Sequence, residues 1–228
     1  MASEADLKLL GTAVSPFAVR IRMALHMKGL PYEYLEQDLV NKSDLLVTSN
    51  PVYKKVPVLI HGGKPILESL AIVQYIDEVW SGKALNILPA DPYQRATARF
   101  WAAYADDKLF AAYLGIFGAV TEVDRAEQVG ETLAAVEQLE GAFIQSSNGK
   151  AFFAGDSVGF LDLVVGCHLF WLEAMGKMAG VAFLDTGKTP LLAAWAERFG
   201  ETEVAKEAVP DADVVVEYAK KRQAAAAN

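Results

Sequence analysis

The stretch LKLLGTAVSPFAVRIRMALHMKGLPYEYL at residues 7–35 decides the fold of the first part of this chain. Residues 7–10 form a short apolar run typical of a strand, and residues 32–35 form a second one. Between them, residues 16–28 carry apolar side chains at helical spacing and stop at Gly29, a residue type that often ends helices. The stretch therefore predicts a strand–helix–strand unit.

Short alternating elements continue after this unit. A polar stretch at residues 41–49 precedes an apolar run at residues 56–60, and the turn His61-Gly62-Gly63-Lys64 leads from that run to Ile66 and Leu67. This pattern predicts a β-hairpin. Ser69 then opens a helix that ends at Ser81-Gly82. The predicted order is βαβαββα, an α+β arrangement.

The sequence changes character after about Asp91, where helical periodicity replaces the short strands. Asp91-Pro92 and Thr189-Pro190 each join a helix-capping residue to a proline at the first helical position, and the first pair opens a helix predicted to reach about Gly118. Further helices are predicted over residues 125–145, 160–178, 190–199 and 213–222. The change predicts two domains, residues 1–82 and 91–228, with a linker over residues 83–90.

Composition narrows the function classes. The chain has 228 residues, 53% of them hydrophobic, which is enough for a sizeable core. Its formal net charge of −8 repels nucleic acid. Asp162, Glu173 and Lys177 interrupt the longest apolar stretch, and the first residues lack a signal-peptide pattern, so neither a membrane span nor a secretory signal is expected. Because the single cysteine, Cys167, allows no disulfide within the chain, a protein of the reducing cytoplasm is expected.

Ser15-Pro16 is the first candidate for chemistry. The pair places a hydroxyl at the start of the first helix, where unpaired backbone N–H groups and the helix dipole favour an anion such as a thiolate. The alternative is that Ser15 only caps its helix, which is the commoner role of a serine in this position.

Two further pairs of residues are candidates for binding a ligand. Val56-Pro57 precedes a strand, and a cis bond there would turn the backbone of Val56 outward to pair with a peptide-like ligand. An ordinary trans proline at a sheet edge is the alternative. Glu68-Ser69 puts a carboxylate and a hydroxyl at another helix start, which suits a ligand with both an ammonium and a carboxylate, although plain capping is again the alternative.

These pairs stand within longer motifs that resemble a known family. The motifs of the first half are S-P-F at 15–17, N-K-S at 41–43, N-P-V-Y-K-K-V-P-V-L at 50–59 and E-S-L-A-I-V-Q-Y-I-D-E at 68–78. Those of the second half are R-A-x-A-R-F-W at 95–101, F-L-D at 160–162 and P-L-L-A-A-W at 190–195. Together they resemble the tau-class glutathione S-transferases of plants over nearly the whole chain. Gly159 departs from the wider superfamily, which often has Ser or Thr there.

The resemblance implies a thioredoxin-like glutathione-binding domain followed by an all-helical domain for the acceptor substrate. It implies that Ser15 donates a hydrogen bond to the sulfur of glutathione. The remaining glutathione-binding residues that it implies are Lys42, Lys55, Val56, Pro57, Glu68 and Ser69. Glutathione is then a co-substrate, no cofactor is tightly bound, and no metal is needed; the three histidines of the chain show no ligand spacing.

The resemblance also implies a pocket for an apolar electrophile, with walls from Phe17, Phe110, Leu114, Phe117 and Trp171. Spacings of four and three place the middle three on one helix face, and the alternative is that this face is simply core. The expected function is conjugation of glutathione to apolar electrophiles, with peroxidase activity on organic hydroperoxides as an additional expectation. A non-catalytic carrier of apolar ligands is the alternative.

The family further implies a homodimer, with Glu78, Arg95 and Arg99 as candidate interface charges. Serine rather than cysteine at residue 15 disfavours disulfide-exchange chemistry, because a mixed disulfide with glutathione needs a protein sulfur.

Overall fold

The computed structural model of the chain describes residues 6–226, and the side chains of residues 6–222. These residues form two compact units, the first ending at Leu88 and the second beginning at Pro89. Each unit has its own core and is described by itself.

The first unit is a four-stranded sheet with helices, in the predicted order βαβαββα. Its elements are β1 (Leu7–Gly11), α1 (Pro16–Met27), β2 (Glu33–Glu36), α2 (Asp44–Ser49), β3 (Val58–His61), β4 (Lys64–Ile66) and α3 (Ser69–Val79). The strand order is β2-β1-β3-β4. β1 and β2 are parallel, whereas β1 with β3 and β3 with β4 are antiparallel.

Local sequence explains where these elements begin and end. Gly29 has a φ of +58°, a left-handed conformation that suits glycine and stops α1. Gly11 ends β1 where the chain passes close to α1, since a Cβ atom there would lie 2.9 Å from the Cβ of Ala18. At the far end of α1, the buried ammonium of Lys28 lies 2.9 Å from Asp77 of α3. This ion pair links the two helices that pack against each other.

The second unit is helical throughout its regular structure. Its elements are α4 (Pro92–Tyr104), a π-helical segment (Ala105–Leu109), α5 (Phe110–Gly118), α6 (Glu122–Ser147), α7 (Phe160–Gly166), α8 (Leu169–Ala179), α9 (Pro190–Gly200), α10 (Glu203–Ala208) and α11 (Ala212–Ala226). The fold class predicted from the sequence, an α+β unit followed by a helical one, is confirmed.

Three details of the helical unit differ from the expectation. The helix from Pro92 to Gly118 contains a π-helical turn. The helix predicted over residues 160–178 is two helices, because Cys167 and His168 have ψ angles of −12° and −11°, closer to a tight turn than to an α-helix. The six-residue helix α10 has no counterpart in the expectation, since it is too short to show a periodic pattern.

Asp162 is the polar centre of this unit. Its carboxylate is fully buried and accepts hydrogen bonds from the backbone N–H groups of Phe153, Ala154 and Gly159 at 2.9, 3.2 and 2.9 Å. The indole Nε1–H of Trp195 on α9 is a fourth donor, at 2.8 Å. One side chain thereby joins the start of α7, the loop before it and α9.

No helix within residues 6–226 is long and apolar enough to cross a membrane. The same residues contain no group of three or more His, Cys, Asp or Glu side chains arranged to hold a metal ion.

Candidate functional site

The register of the sheet places the ends of β1, β2 and β4 and the start of β3 at the same edge of the first unit. β1 and β2 end together because Gly11 pairs with Glu36, and β3 begins beside the end of β1 because Leu10 pairs with Val58. β4 runs antiparallel to β3 and so ends, at Ile66, near the start of β3. The predicted glutathione-binding residues all stand in segments that adjoin this edge: Ser15, Lys42, Lys55, Val56, Pro57, Glu68 and Ser69.

Ser15 is the N-cap of α1. It has an extended conformation with φ −85° and ψ 113°, and its Oγ accepts a hydrogen bond from the N–H of Ala18 at 3.2 Å. Its own N–H donates to the carbonyl of Thr12 at 2.9 Å, which fixes the turn out of β1. A hydroxyl that accepts through a lone pair still has its proton to donate. Capping and donation to a ligand are therefore compatible, and the two interpretations of Ser15 do not exclude each other.

The peptide bond between Val56 and Pro57 is cis. Pro57 is buried, Val56 is partly exposed, and β3 begins only at Val58. The backbone N–H and C=O of Val56 form no hydrogen bond with another residue in the described part of the chain. Asn50 holds the preceding loop, since its side-chain amide donates to the carbonyl of Lys55 at 3.0 Å. The arrangement leaves a backbone donor and acceptor open to an extended ligand.

Glu68 and Ser69 form the start of α3. Glu68 has a φ of +67°, an unusual conformation for a residue with a side chain, and its carboxylate is exposed. Such backbone conformations cost about 1–3 kcal/mol and occur preferentially at ligand-binding sites. Ser69 is buried, and its Oγ accepts a hydrogen bond from Nη1 of Arg20 at 2.9 Å. With the acceptor side occupied, the hydroxyl proton of Ser69 can point to a ligand carboxylate.

Arg20 was not among the residues predicted from the sequence. It is fully buried on α1, and its guanidinium lies 5.3 Å from the ring centroid of Phe17. The sequence does place this arginine on the apolar face of a helix, and a buried arginine needs a buried hydrogen-bond acceptor. The sequence alone does not say that this acceptor is Ser69.

Two lysines bring positive charge to the same edge. Lys42 and Lys55 are both exposed. Lys42 is positioned by its neighbour Ser43, which caps α2 by accepting from the N–H of Leu46 at 3.1 Å and donates its hydroxyl to the Oε1 of Gln37 at 2.6 Å. Two ammonium groups, one carboxylate and two helix starts match the charges of a peptide with two carboxylates and one ammonium.

Three of the four residues predicted to contact the acceptor in the helical unit, Phe110, Leu114 and Phe117, lie on α5, and the fourth, Trp171, lies on α8. Phe110 and Phe117 are partly exposed and Leu114 is 36% exposed, whereas the adjacent Tyr113 is buried. The ring of Phe117 meets that of Trp171 edge to face, with centroids 6.2 Å apart. Trp171 itself is 4% exposed, so only an edge of its indole can meet a ligand. Phe17 is partly exposed on α1 of the first unit.

A buried chain of polar groups supports this aromatic wall. The hydroxyl of Tyr113 lies 2.8 Å from Nδ1 of His168, and Nε2 of His168 lies 3.4 Å from Asp106 in the π-helical segment. The ring of Tyr113 stacks on Trp171 with centroids 5.6 Å apart. His168 was assigned no function from the sequence, because the three histidines show no ligand spacing, and its partners Tyr113 and Asp106 are 55 and 62 residues away.

Comparison with known protein families gives two matches. Residues 5–78 match the model of the glutathione S-transferase N-terminal domain, and residues 122–198 match that of the C-terminal domain.

Individual relatives agree with these matches. The probable glutathione S-transferase GSTU6 of Oryza sativa subsp. japonica is 55% identical over 223 residues, which cover 96% of this chain and 94% of that protein. The crystallographic structure of the tau-class glutathione S-transferase MiGSTU from mango, Mangifera indica, has a TM-score of 0.91 at 47% identity, and the match covers 96% of this chain and 99% of that one. The crystal structure of Rice GST1 (OsGSTU1) in complex with glutathione has a TM-score of 0.87 at 36% identity, covering 96% of each chain. The chain therefore belongs to the glutathione S-transferase family of enzymes and, within it, to the tau class.

Proposed function

We propose that this enzyme binds glutathione at the sheet edge of its first unit, ionises the thiol beside Ser15 and transfers the thiolate to apolar electrophiles. The observation that carries the proposal is the geometry of Ser15. Its oxygen already accepts from Ala18, so its proton is the part of the hydroxyl left to stabilise a sulfur anion. The likeness to a tau-class structure solved with glutathione supports the choice of co-substrate.

The energy required of Ser15 is modest. A free thiol has a pKa of about 8.5, so about 3% is thiolate at pH 7. Lowering that pKa by about two units, which corresponds to about 2.7 kcal/mol, makes the thiol mostly ionised. The interactions of a thiolate with one hydroxyl donor and with the N-terminus of the twelve-residue helix α1 together supply a free energy of this size.

The other residues at the edge bind the parts of glutathione that do not react. In this proposal Lys42 and Lys55 hold the glycine carboxylate, and the backbone of Val56, turned by the cis bond to Pro57, pairs with the cysteinyl unit. Glu68 and Ser69 hold the γ-glutamyl ammonium and carboxylate. The open backbone groups of Val56 and the exposed carboxylate of Glu68 support these roles.

The acceptor contacts Phe17, Phe110, Leu114, Phe117 and Trp171 in this proposal. The partly exposed, wholly apolar side of α5 supports apolar electrophiles, and organic hydroperoxides are a second class that the same thiolate can reduce. A carrier that only stores apolar ligands would bind the same molecules without turnover, so conjugation kinetics distinguish the two functions.

The test compares Ser15→Ala with Ser15→Thr. We expect the alanine variant to bind glutathione but to lose about a hundredfold in conjugation rate, because one positioned donor to an anion is gone. Threonine keeps both the cap and the hydroxyl and should retain more activity. Ultraviolet absorbance of the bound thiolate, followed against pH, should show the thiol pKa of the alanine variant rising towards that of free glutathione.

A matched control separates the loss of the hydroxyl from the loss of a helix cap. Thr121→Ala removes a side chain that caps α6 by accepting from the N–H of Asp124 at 3.1 Å, so it should lower stability by about 1 kcal/mol without affecting turnover. Near wild-type turnover of Ser15→Ala would show that another group activates the thiol.

We also propose that the protein works in the cytoplasm as a homodimer, with Glu78, Arg95 and Arg99 at the interface. Large apolar side chains that are mostly exposed support association: Tyr53 at 60%, Tyr93 at 80% and Phe100 at 62%. Light scattering on the purified protein measures the mass directly, and a monomer at micromolar concentration would contradict the proposal.

A further inference from the structure

The helical unit contains a cavity that the proposed function does not use. Its volume is about 760 Å³, within the range of sites that hold drug-sized molecules. The helices α8, α9 and α10 and the start of α11 surround it. Its lining includes three aromatic residues that are almost wholly buried, Phe170, Phe183 and Phe199, and the partly exposed apolar side chains of Leu169, Leu184 and Pro210.

This cavity is separate from the aromatic wall on α5. Phe170, Glu173 and Lys177 line it, and their spacing of three and four places them on one face of α8. Trp171, which meets the α5 wall, follows Phe170 by one residue and so projects about 100° away around the helix. Among the described residues, none from α5 lines the cavity.

The outer wall of the cavity is held by close backbone packing. Gly176 of α8 lies under Val181, and a Cβ atom at Gly176 would stand 2.6 Å from the carbonyl oxygen of Val181. The N–H of Val181 donates to the carbonyl of Gly176 at 3.1 Å, and Gly180 turns the chain with a φ of +70°. The segment that leads to Phe183 is thus fixed against α8. The cavity is therefore preformed, as ligand sites usually are.

The charged groups around the opening are mostly acidic. Lys177 lies 3.0 Å from Glu173 and 3.1 Å from Asp213, and Lys206 lies 3.0 Å from Glu201. The hydrogen bonds that each lysine donates to these carboxylates raise its pKa. Glu197 and Asp211 also line the cavity. Both lysines are therefore engaged by carboxylates, and five carboxylates surround two ammonium groups.

We propose that this cavity is a second ligand site, which binds an apolar aromatic molecule carrying a single positive charge. The apolar side chains of the lining supply the apolar contact, and the acidic opening attracts a cation while repelling an anion of the same shape. The site is independent of glutathione chemistry, so it stands whether or not Ser15 activates the thiol.

The experiment uses two probes of equal size, naphthalen-1-ylmethylammonium and 1-naphthoate, titrated by calorimetry into the full-length protein. Each titration is run with S-hexylglutathione, which occupies the glutathione and acceptor sites, and is repeated without it. We expect one ammonium probe per chain to bind, about tenfold more tightly than the carboxylate probe, and we expect this preference to shrink as salt is added.

Two variants test the position of the site. Ala196→Phe places a ring in the cavity and should abolish binding of the ammonium probe, whereas Ala194→Phe, the same change two residues earlier on α9 and outside the lining, should not. Glu197→Lys alters an exposed position, leaves four carboxylates against three ammonium groups, and should reduce the preference for the cation. Conjugation activity should be unchanged in all three variants.

The proposal is overturned if neither probe binds saturably, or if both bind equally well. Displacement of the ammonium probe by S-hexylglutathione would also overturn it, because the probe would then occupy the glutathione or acceptor site.

Discussion

Asp162 should make the stability of this protein fall as the pH rises from about 4 to 6. Burial raises the pKa of its carboxyl group to about 6, although the hydrogen bonds from Gly159, Phe153, Trp195 and Ala154 act in the opposite direction. In the unfolded chain the pKa of an aspartate is about 3.9. The folded state therefore binds more protons than the unfolded state between these two values.

The sign and size of the effect follow from linkage. A group whose pKa is higher in the folded state stabilises the fold when it is protonated, and that contribution is lost as the pH rises through the folded pKa. A difference of about two pKa units corresponds to at most about 3 kcal/mol, most of it lost between pH 4 and 6. This is a large share of the roughly 5–15 kcal/mol that stabilises a typical domain.

The measurement is urea unfolding of the wild type and of Asp162→Asn at pH values from 4.5 to 7.5. Asparagine should destabilise the protein at every pH, because its amide NH₂ faces backbone N–H groups where a carboxylate oxygen accepts them. The asparagine variant does not titrate, however, so the stability gap between the two proteins should narrow by about 2 kcal/mol as the pH rises. Asp156→Asn, at an exposed position, is the control and should show no such trend.

The opposite trend would refute this reasoning. If the gap widens with pH, the four donors stabilise the carboxylate more than burial penalises it, and Asp162 is ionised in the fold well below pH 6.

Three further predictions concern the other charged and apolar positions. Lys42→Ala and Glu68→Ala should each raise the KM for glutathione with little change in kcat, because they remove contacts to parts of the ligand that do not react. If calorimetry finds unchanged glutathione affinity in both variants, the assignments are wrong. In the wild type, kcat/KM should rise about fourfold for each methylene added along a series of alkyl electrophiles, and Leu114→Arg should reduce this rise while leaving the KM for glutathione unaltered. If the wild-type series is flat and Leu114→Arg sharply lowers the melting temperature, this face of α5 is core instead. Lys28→Met should cost about 3–5 kcal/mol, because the buried Asp77 carboxylate keeps its hydrogen bonds from Ile87 and Leu88 but loses its counter-charge. Adding Asp77→Asn should recover part of that loss in denaturant unfolding, and no recovery would show that the unpaired charge is not the cause.

The elements of the first unit were predictable because their signals are local. The apolar run of β1, the Ser15-Pro16 start of α1 and the left-handed Gly29 each act within a few residues. The same holds for Asp91-Pro92 at the start of α4. Such signals fix where an element begins and ends whatever it later packs against.

The features that escaped prediction depend on contacts between distant residues. Arg20 meets Ser69 across 49 positions of the sequence, and His168 meets Asp106 across 62. Periodicity shows that such residues lie on an apolar face, but it does not identify the partner that satisfies their charge or hydrogen bonds. The break between α7 and α8 at Cys167 was not predictable either, because the apolar pattern continues through it without interruption.

The π-helical segment Ala105–Leu109 amounts to one residue inserted into a helix that otherwise runs from Pro92 to Gly118. The wider turn takes up the extra residue locally, so α5 keeps the direction that it would have in a regular helix lacking that residue. Deleting one residue within the segment should therefore give a regular α-helix in which Tyr113 still faces His168. The same deletion in the regular part of the helix would instead rotate every side chain beyond it by about 100°. A related sequence that is one residue shorter at this segment can therefore keep the lining of α5 unchanged.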